Sequence, residues 1–428
     1  MDARETTLLQ TVRDLEQQQL EWTCQLIAIP TVNPYSGDAS AGSEAAGQSW
    51  LEQRLQELGA RVRRIPVPQD VYERGGLIGP VDRCWNDREN VVAEWVLGTG
   101  DGPTILLNNH MDTVGTAGME FDPFDPVVAD GRLFGRGSSD SKGNTIMGLI
   151  AVAALLDNAS GLNGRIIFES VVDEECNGAG AGTLACCLAG VTGDIALCLD
   201  GDRTNVSIGC NGVATARILV HGQSGHGSVG GAVSALDKAI VVKEAVDAFA
   251  REHTERFPHC PVNIGVFRAG TLPAIVPGQA ELQINLNYDA QDASRAEQQE
   301  GHWDGRLFRS RFEHAMGRLD TRDEWFARHP VDVSWIKDVY PYWCDPGDAR
   351  LRNLVAVASE VRGQPVQARP LQAWFDAAHL ARQLGIPAVG IGAGSPGTAH
   401  GAGEYAILDD LYAGTRVVAL GIYRLLQR

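Results

Sequence analysis

The sequence predicts an α/β protein: a mixed sheet covered by helices, interrupted by an inserted ferredoxin-like α+β unit. Three observations carry this. Strands and helices alternate from about residue 61 to residue 200. After Asp200 the order becomes strand–helix–strand–strand–helix–strand, the signature of a compact ferredoxin-like module. From about Tyr340 the first style returns. At 428 residues the chain is too long for one ordinary core. The division expected is an outer domain of 1–205 and 339–428, with 206–338 inserted as a second domain.

The elements follow in order. Leu8, Leu9, Val12 and Leu15 recur at helical spacing, so residues 7–28 read as an opening helix. A second helix runs from Glu44 to Leu58 and stops at Gly59. Arg61–Val67, Asn90–Val96 and Thr104–Asn109 read as strands, and Ser141–Leu156 as a helix. Arg165–Val172 is a strand followed by a Gly/Ala-rich helix, and Asp194–Leu199 is another strand. In the inserted unit, Val213–Val220, Val262–Phe267 and Ala280–Tyr288 read as strands. Ala232–Ala250 and Arg306–Met316 read as its helices, with a polar stretch from Asp289 to about Glu300. The outer domain then resumes with helices at Asp348–Val361 and Asp376–Leu384, the strand Ile386–Ile391 and a closing helix after Asp409.

Composition narrows the function classes. With 54 acidic and 36 basic residues the net charge is −18, which disfavours nonspecific binding to nucleic acid or to an anionic membrane. The first twenty residues lack an apolar stretch behind a basic head, so no secretory signal is expected, and no run is long enough for a membrane span. The nine cysteines form no C-x-x-C pair, so they read as small buried hydrophobes of a protein in the reducing cytoplasm.

The chemistry-bearing residues collect at strand ends. His110 and Asp112 follow Thr104–Asn109, and in an extended segment they point to the same side. Asp140 precedes Ser141-Lys142-Gly143 at the entry to a helix, where an ordinary N-cap would also place it. Asp173-Glu174-Glu175 end a buried apolar strand, where uncompensated charge is costly. Asp200 follows Ile195–Leu199, and His400 lies beyond the strand Ile386–Ile391. Each has an ordinary structural explanation alone. Together they put His, Asp, Glu, Asp and His at the edge where open α/β sheets bind ligands. Two imidazoles with three carboxylates, one of them shared, form a mixed donor set suited to two divalent ions. Glu174, beside Glu175, is then the free carboxylate available as general base.

Those blocks resemble a known family. His110-Met111-Asp112, Gly135-Arg136-Gly137 through Asp140, Asp173-Glu174-Glu175 and His400 are similar to the dinuclear metallohydrolases typified by acetylornithine deacetylase, succinyl-diaminopimelate desuccinylase, glutamate carboxypeptidase and aminoacylase. The resemblance covers nearly the whole chain. It implies that one ion takes His110 and Asp200, that the other takes Glu175 and His400, and that Asp140 bridges. It further implies that Asp112 supports His110, that Glu174 shuttles the proton, and that His226 of the inserted domain polarises a substrate carbonyl. The cofactors implied are two divalent ions, Zn, Mn or Co, with both sites filled or one empty. The partners implied are a small-molecule substrate and a second copy of the chain, docked through the inserted lid.

Two departures bear on the substrate. Many members carry Asn before Val-Val-Pro in the lid and Arg about a dozen residues later, the Arg gripping a carboxylate. Here Ala274 and Asn287 stand at those positions, and Asn cannot supply the charge or fork geometry of Arg. The expected reaction is hydrolysis of the amide of an N-acyl amino acid or small peptide. The alternative is hydrolytic deamination of an activated aromatic amine, as in relatives similar to nitroanthranilate aminohydrolase, and a further alternative is a non-catalytic relative. Gly392-Ala393-Gly394-Ser395-Pro396-Gly397 matches a nucleotide-binding fingerprint by chance, since no helix start follows it.

Overall fold

The computed structural model describes residues 1–201, 203–291, 305–395 and 397–427. Most of the expected polar stretch after Asp289 lies outside them. A nine-stranded sheet forms the outer unit. From one edge its order is Arg61–Pro66, Glu89–Leu97, Gly164–Val171, Thr104–His110, Ile195–Cys198, Ala388–Gly390, Asn205–Cys210 and Tyr342–Trp343, with Gln367–Leu371 pairing beside Asn205–Cys210. The four central strands, Gly164–Val171 to Ala388–Gly390, run parallel. They read as continuous apolar runs, such as Ile105-Leu106-Leu107, because both faces are covered.

The helix Lys142–Asp157 is buried along almost its whole length and packs with Ala3–Asp14 and Leu408–Leu426. It sits so close to the chain after Ile195–Cys198 that a Cβ at Gly148 would fall 2.3 Å from Leu199 Cδ1. The expected single opening helix is two, Ala3–Asp14 and Glu16–Ile27, broken at Leu15. Packing is the reason. Leu8, Leu9 and Val12 of the first and Leu26 of the second enter one core, which a straight helix of that length would not follow.

The inserted unit is a four-stranded antiparallel sheet ordered Val262–Ala269, Gln279–Tyr288, Gly212–His221, Asp332–Val339. This is the strand order of a ferredoxin-like module. Helices Ala235–Arg256 and Arg306–Met316 bury Val242, Phe249, Phe308 and Phe312 against it. Asn205–Cys210 belongs to the large sheet, so the chain crosses into the insert after Cys210, later than the 205/206 division expected from sequence. A further small sheet, Val127–Ala129, Arg132–Phe134 and Tyr405–Ile407, has no alternating apolar pattern to announce it. Among the described residues no helix is long and apolar enough to cross a membrane.

Candidate metal centre

Four neighbouring parallel strands each deliver one side chain to a common crest. His110 closes Thr104–His110, Glu175 follows Gly164–Val171, Asp200 follows Ile195–Cys198, and His400 lies in the loop after Ala388–Gly390. Asp140 comes from the turn entering the helix Lys142–Asp157. Candidate ligand atoms of His110, Asp140 and Asp200 lie within 4.8 Å of one another, as do those of Asp140, Glu175 and His400. Asp140 belongs to both groups.

The imidazoles are turned for coordination. His110 Nδ1 lies 3.0 Å from the Asp112 carbonyl, and Nε2 lies 3.1 Å from Asp140 Oδ1. Donating one ring N–H to a backbone carbonyl fixes the tautomer and leaves Nε2 free for a metal. His400 Nε2 is 3.2 Å from Asp140 Oδ2 and 2.9 Å from Glu175 Oε2. His400 itself has φ +62°, a left-handed backbone unusual for a residue with a Cβ, and Asp173 on the opposite loop has φ +65°.

Electrostatics describe a site crowded with negative charge. Burial, reinforced by the charge of Asp140, pushes Glu175 up to about 7 and Asp200 up to about 6. Burial opposes ionisation of Asp140 too, yet hydrogen bonds from His110 and His400 hold it below the usual carboxylate range. Hydrogen bonds to Asp140 and Glu175 raise His400 to about 11. Burial pulls His110 down, but Asp112, Asp140 and the charge of Glu174 outweigh it and raise it well above its ordinary value. The donor set, two Nε2 atoms and three carboxylates with one shared, fits two divalent ions.

Glu174 belongs to neither group of three and lines the cavity above them. Burial, then repulsion from Glu175 and Asp200, raises its carboxyl well above the ordinary value, partly offset by His110. Asp112 is fully buried and reaches more than His110. It accepts the backbone N–H groups of Glu174 at 3.2 Å and Glu175 at 3.0 Å, and Asn33 Nδ2 donates to it at 2.8 Å.

Several supporting residues escape the sequence reading. Asp173 turns away from the crest and pairs with Arg88 at 3.0 Å and Arg83 at 3.5 Å, while Arg88 also pairs with buried Glu44. Removing Arg88 would leave buried Glu44 without its cation and Asp173 with Arg83 alone, a loss of about 3–5 kcal/mol. Glu404 accepts from Arg136 Nη1 at 2.6 Å and from the N–H groups of Gly137, Ser139 and Asp140 at 3.0–3.2 Å, which clamps the turn carrying Asp140. Two arginines in an acidic chain, and a lone Glu four residues past His400, are the only signals the sequence offers for these.

His226 stands apart. It is exposed on a two-residue strand paired with Ile275–Val276, and the Ser228 N–H donates to its Nδ1 at 3.1 Å. Among the described residues no hydrogen bond or ion pair joins it to the cluster. Asn287 is buried, with Nδ2 donating to the Pro261 carbonyl at 3.2 Å. The Gly392–Gly397 run leads into turns carrying His400 and not into a helix.

Known proteins resemble this chain over most of its length. The chain is 26% identical over 451 aligned residues to the N-formyl-4-amino-5-aminomethyl-2-methylpyrimidine deformylase of Halalkalibacterium halodurans, covering 97% of this chain and 96% of that protein. It is 24% identical over 366 residues to the succinyl-diaminopimelate desuccinylase of Stenotrophomonas maltophilia, covering 81% and 83%. Its fold is similar to that of the dipeptidase Dug1p of Saccharomyces cerevisiae, with TM-score 0.76 at 14% identity over 99% of both chains. Residues 106–424, most of the chain and all of the crest from His110 to His400, match one family description. The chain therefore belongs to peptidase family M20/M25/M40 and is a metal-dependent hydrolase of C–N bonds.

Proposed function

We propose that the protein hydrolyses the amide bond of a small N-acyl compound, the class that includes N-acyl amino acids and dipeptides, with Glu174 as general base. The observation that carries this is the placement of Glu174: a half-buried carboxylate outside both groups of three, on the same turn as Glu175. His110, Asp140 and Asp200 would hold one ion and Asp140, Glu175 and His400 the other, with Zn, Mn and Co all suited to the donors. When bound, such ions supply Lewis-acid polarisation of a carbonyl and make water more acidic. Glu174 takes the proton from the attacking water and returns it to the leaving nitrogen. The raised affinity of Glu174 for a proton suits that return. Two relatives support the class, since their names describe removal of a formyl and a succinyl group.

His226 would add a donor to the developing oxyanion once the insert closes or a partner subunit presents it. Exposed apolar side chains on the insert, among them Val229, Ile240 and Leu272, support a homodimer joined there. Buried cysteines such as Cys186, Cys187, Cys198 and Cys210, packed as small apolar side chains, support a reducing cytoplasmic setting. The second reading, deamination of an aromatic amine, draws on Asn287, which is tied to Pro261 and offers no cation for a substrate carboxylate.

Glu174→Gln separates chemistry from binding. Metal content should stay, while release of carboxylic acid from N-acyl substrates falls by roughly two to four orders of magnitude. Chelated protein should be inactive and recover with Zn, Mn or Co. Near-normal turnover of Glu174→Gln would move the base elsewhere. Ammonia in place of carboxylic acid as the product would select deamination.

A further inference from the structure

Above the carboxylates the crest opens into a cavity of about 290 Å³ with two unlike sides. The floor holds Glu174, Glu175, Asp140, Asp200 and His400. One wall is apolar, made by Leu371, Ala373 and Trp374. Small-molecule sites commonly pair a few polar groups with an apolar wall, and the wall recognises the part of the ligand that does not react.

The wall is held in place. Leu371 ends the strand Gln367–Leu371, which pairs parallel with Asn205–Cys210. Two residues beyond Trp374, Asp376 accepts the Thr183 hydroxyl at 2.7 Å at the start of the helix Ala377–Leu384, and Phe375 between them is buried. The indole of Trp374 meets the ring of His379 edge-on at 5.2 Å. His379 is itself fixed by the Tyr340 hydroxyl at 2.8 Å and the Ala179 carbonyl at 2.8 Å. The indole therefore stands ready in one orientation before any ligand arrives, which lowers the ordering cost of binding. Ala373 is exposed and Trp374 half-exposed, so the wall is open to a ligand.

The charges lining the cavity also select. Among the described lining residues the only group able to carry positive charge is His400, a candidate metal ligand. Arg203, three residues after Asp200, is directed to Asp410 at 3.4 Å. A carboxylate on the substrate has no guanidinium or ammonium to meet here, whereas a flat ring meets an aromatic face.

We infer that Trp374 and Leu371 select amides whose amine side carries a neutral aromatic ring, in preference to N-acyl amino acids with a free carboxylate. This rests on the amide-hydrolase reading and names the member of that class the cavity fits. Trp374 is a specificity residue: the ring lies against the indole while the amide carbonyl faces the carboxylate crest.

Three probes test it on the metal-loaded full chain: N-benzylformamide, with a ring and no carboxylate, N-formylglycine, the reverse, and N-formylphenylalanine, with both. Binding is followed by ligand-observed NMR titration and turnover by formate release. N-Benzylformamide should bind at least about tenfold tighter than N-formylglycine, the scale of one good ring contact with its apolar burial. Trp374→Ala should weaken N-benzylformamide about tenfold and leave N-formylglycine and metal content unchanged, while Trp374→Phe retains most of the affinity. Leu371→Arg, which carries the test if Trp374→Ala is insoluble, should shift preference towards N-formylglycine. Ring binding that depends on Trp374 without formate release would uphold this inference and remove the amide reading. Tighter binding of N-formylglycine, or ring binding indifferent to Trp374 and Leu371, would overturn the inference and leave the amide reading standing.

Discussion

Asp112 accepts the backbone N–H of Glu175 at 3.0 Å, while its own carbonyl lies 3.0 Å from His110 Nδ1. One residue thereby sets a candidate ligand on each of two neighbouring strands and, through the Glu174 N–H, the proposed base as well. Asp112→Ala keeps the backbone carbonyl beside His110 but removes the carboxylate, which lies 3.7 Å from His110 Nδ1 and accepts the Glu174 and Glu175 N–H groups. Metal affinity should fall about 10–100-fold, measured by competition with a chromophoric chelator. Turnover at saturating metal should stay depressed, because the Glu174 turn has lost its anchor. Wild-type affinity in this variant would mean that the backbone alone holds the turn.

Glu404 plays the matching part on the other side of the crest. Its two oxygens take Arg136 and three backbone N–H groups, and Arg136 is almost wholly buried. Glu404→Gln would set an amide N–H₂ against these donors and leave the guanidinium unpaired. We expect a loss of about 3–5 kcal/mol in urea unfolding, together with lower metal content. An unchanged unfolding midpoint would show that water replaces the carboxylate without cost.

Away from the crest, Glu169 makes a pH prediction. Burial, with the charge of Asp376, pushes it up to about 8 from an ordinary 4.5, although hydrogen bonds from Asn108 and Cys186 work the other way. The folded protein then holds a proton that the unfolded chain releases. Stability is fully present below about pH 4.5 and is lost as pH rises towards 8. Glu169→Gln removes that titration, so its thermal midpoint should exceed wild type at pH 8.5 and match it at pH 4.5. Parallel curves across that range would assign the pH dependence elsewhere.

Much of the crest is legible in sequence because Asp173-Glu174-Glu175 and Asp200 directly follow apolar runs, and buried strand ends seldom carry unexplained charge. Strand order then makes four of those ends neighbours, something the sequence does not contain. What stays hidden is long-range pairing. Arg88 meets Asp173 from 85 positions away, and Glu404 meets the Asp140 N–H from 264. Short strands such as Arg132–Phe134, which bring Glu404 into place, bury too little to show a period. Leu15 interrupts the opening helix with no Pro or Gly to mark it, because tertiary packing decides the break.

His226 is exposed, and among the described residues no hydrogen bond or ion pair joins it to the crest. Closure of the insert would bring it in from the same chain, and a dimer would bring it in from the partner. His226→Ala should lower turnover about 100-fold, the scale of one oxyanion donor, with metal content unchanged. Mixing it with Glu174→Gln tells the two routes apart. In a mixed dimer one site combines an intact Glu174 with an intact His226 only if the histidine crosses between subunits. Co-refolding the two inactive variants in equal amounts should then recover about a quarter of wild-type activity, since half the dimers are mixed and each has one complete site. Action within one chain leaves both sites of every mixed dimer defective, and no activity returns.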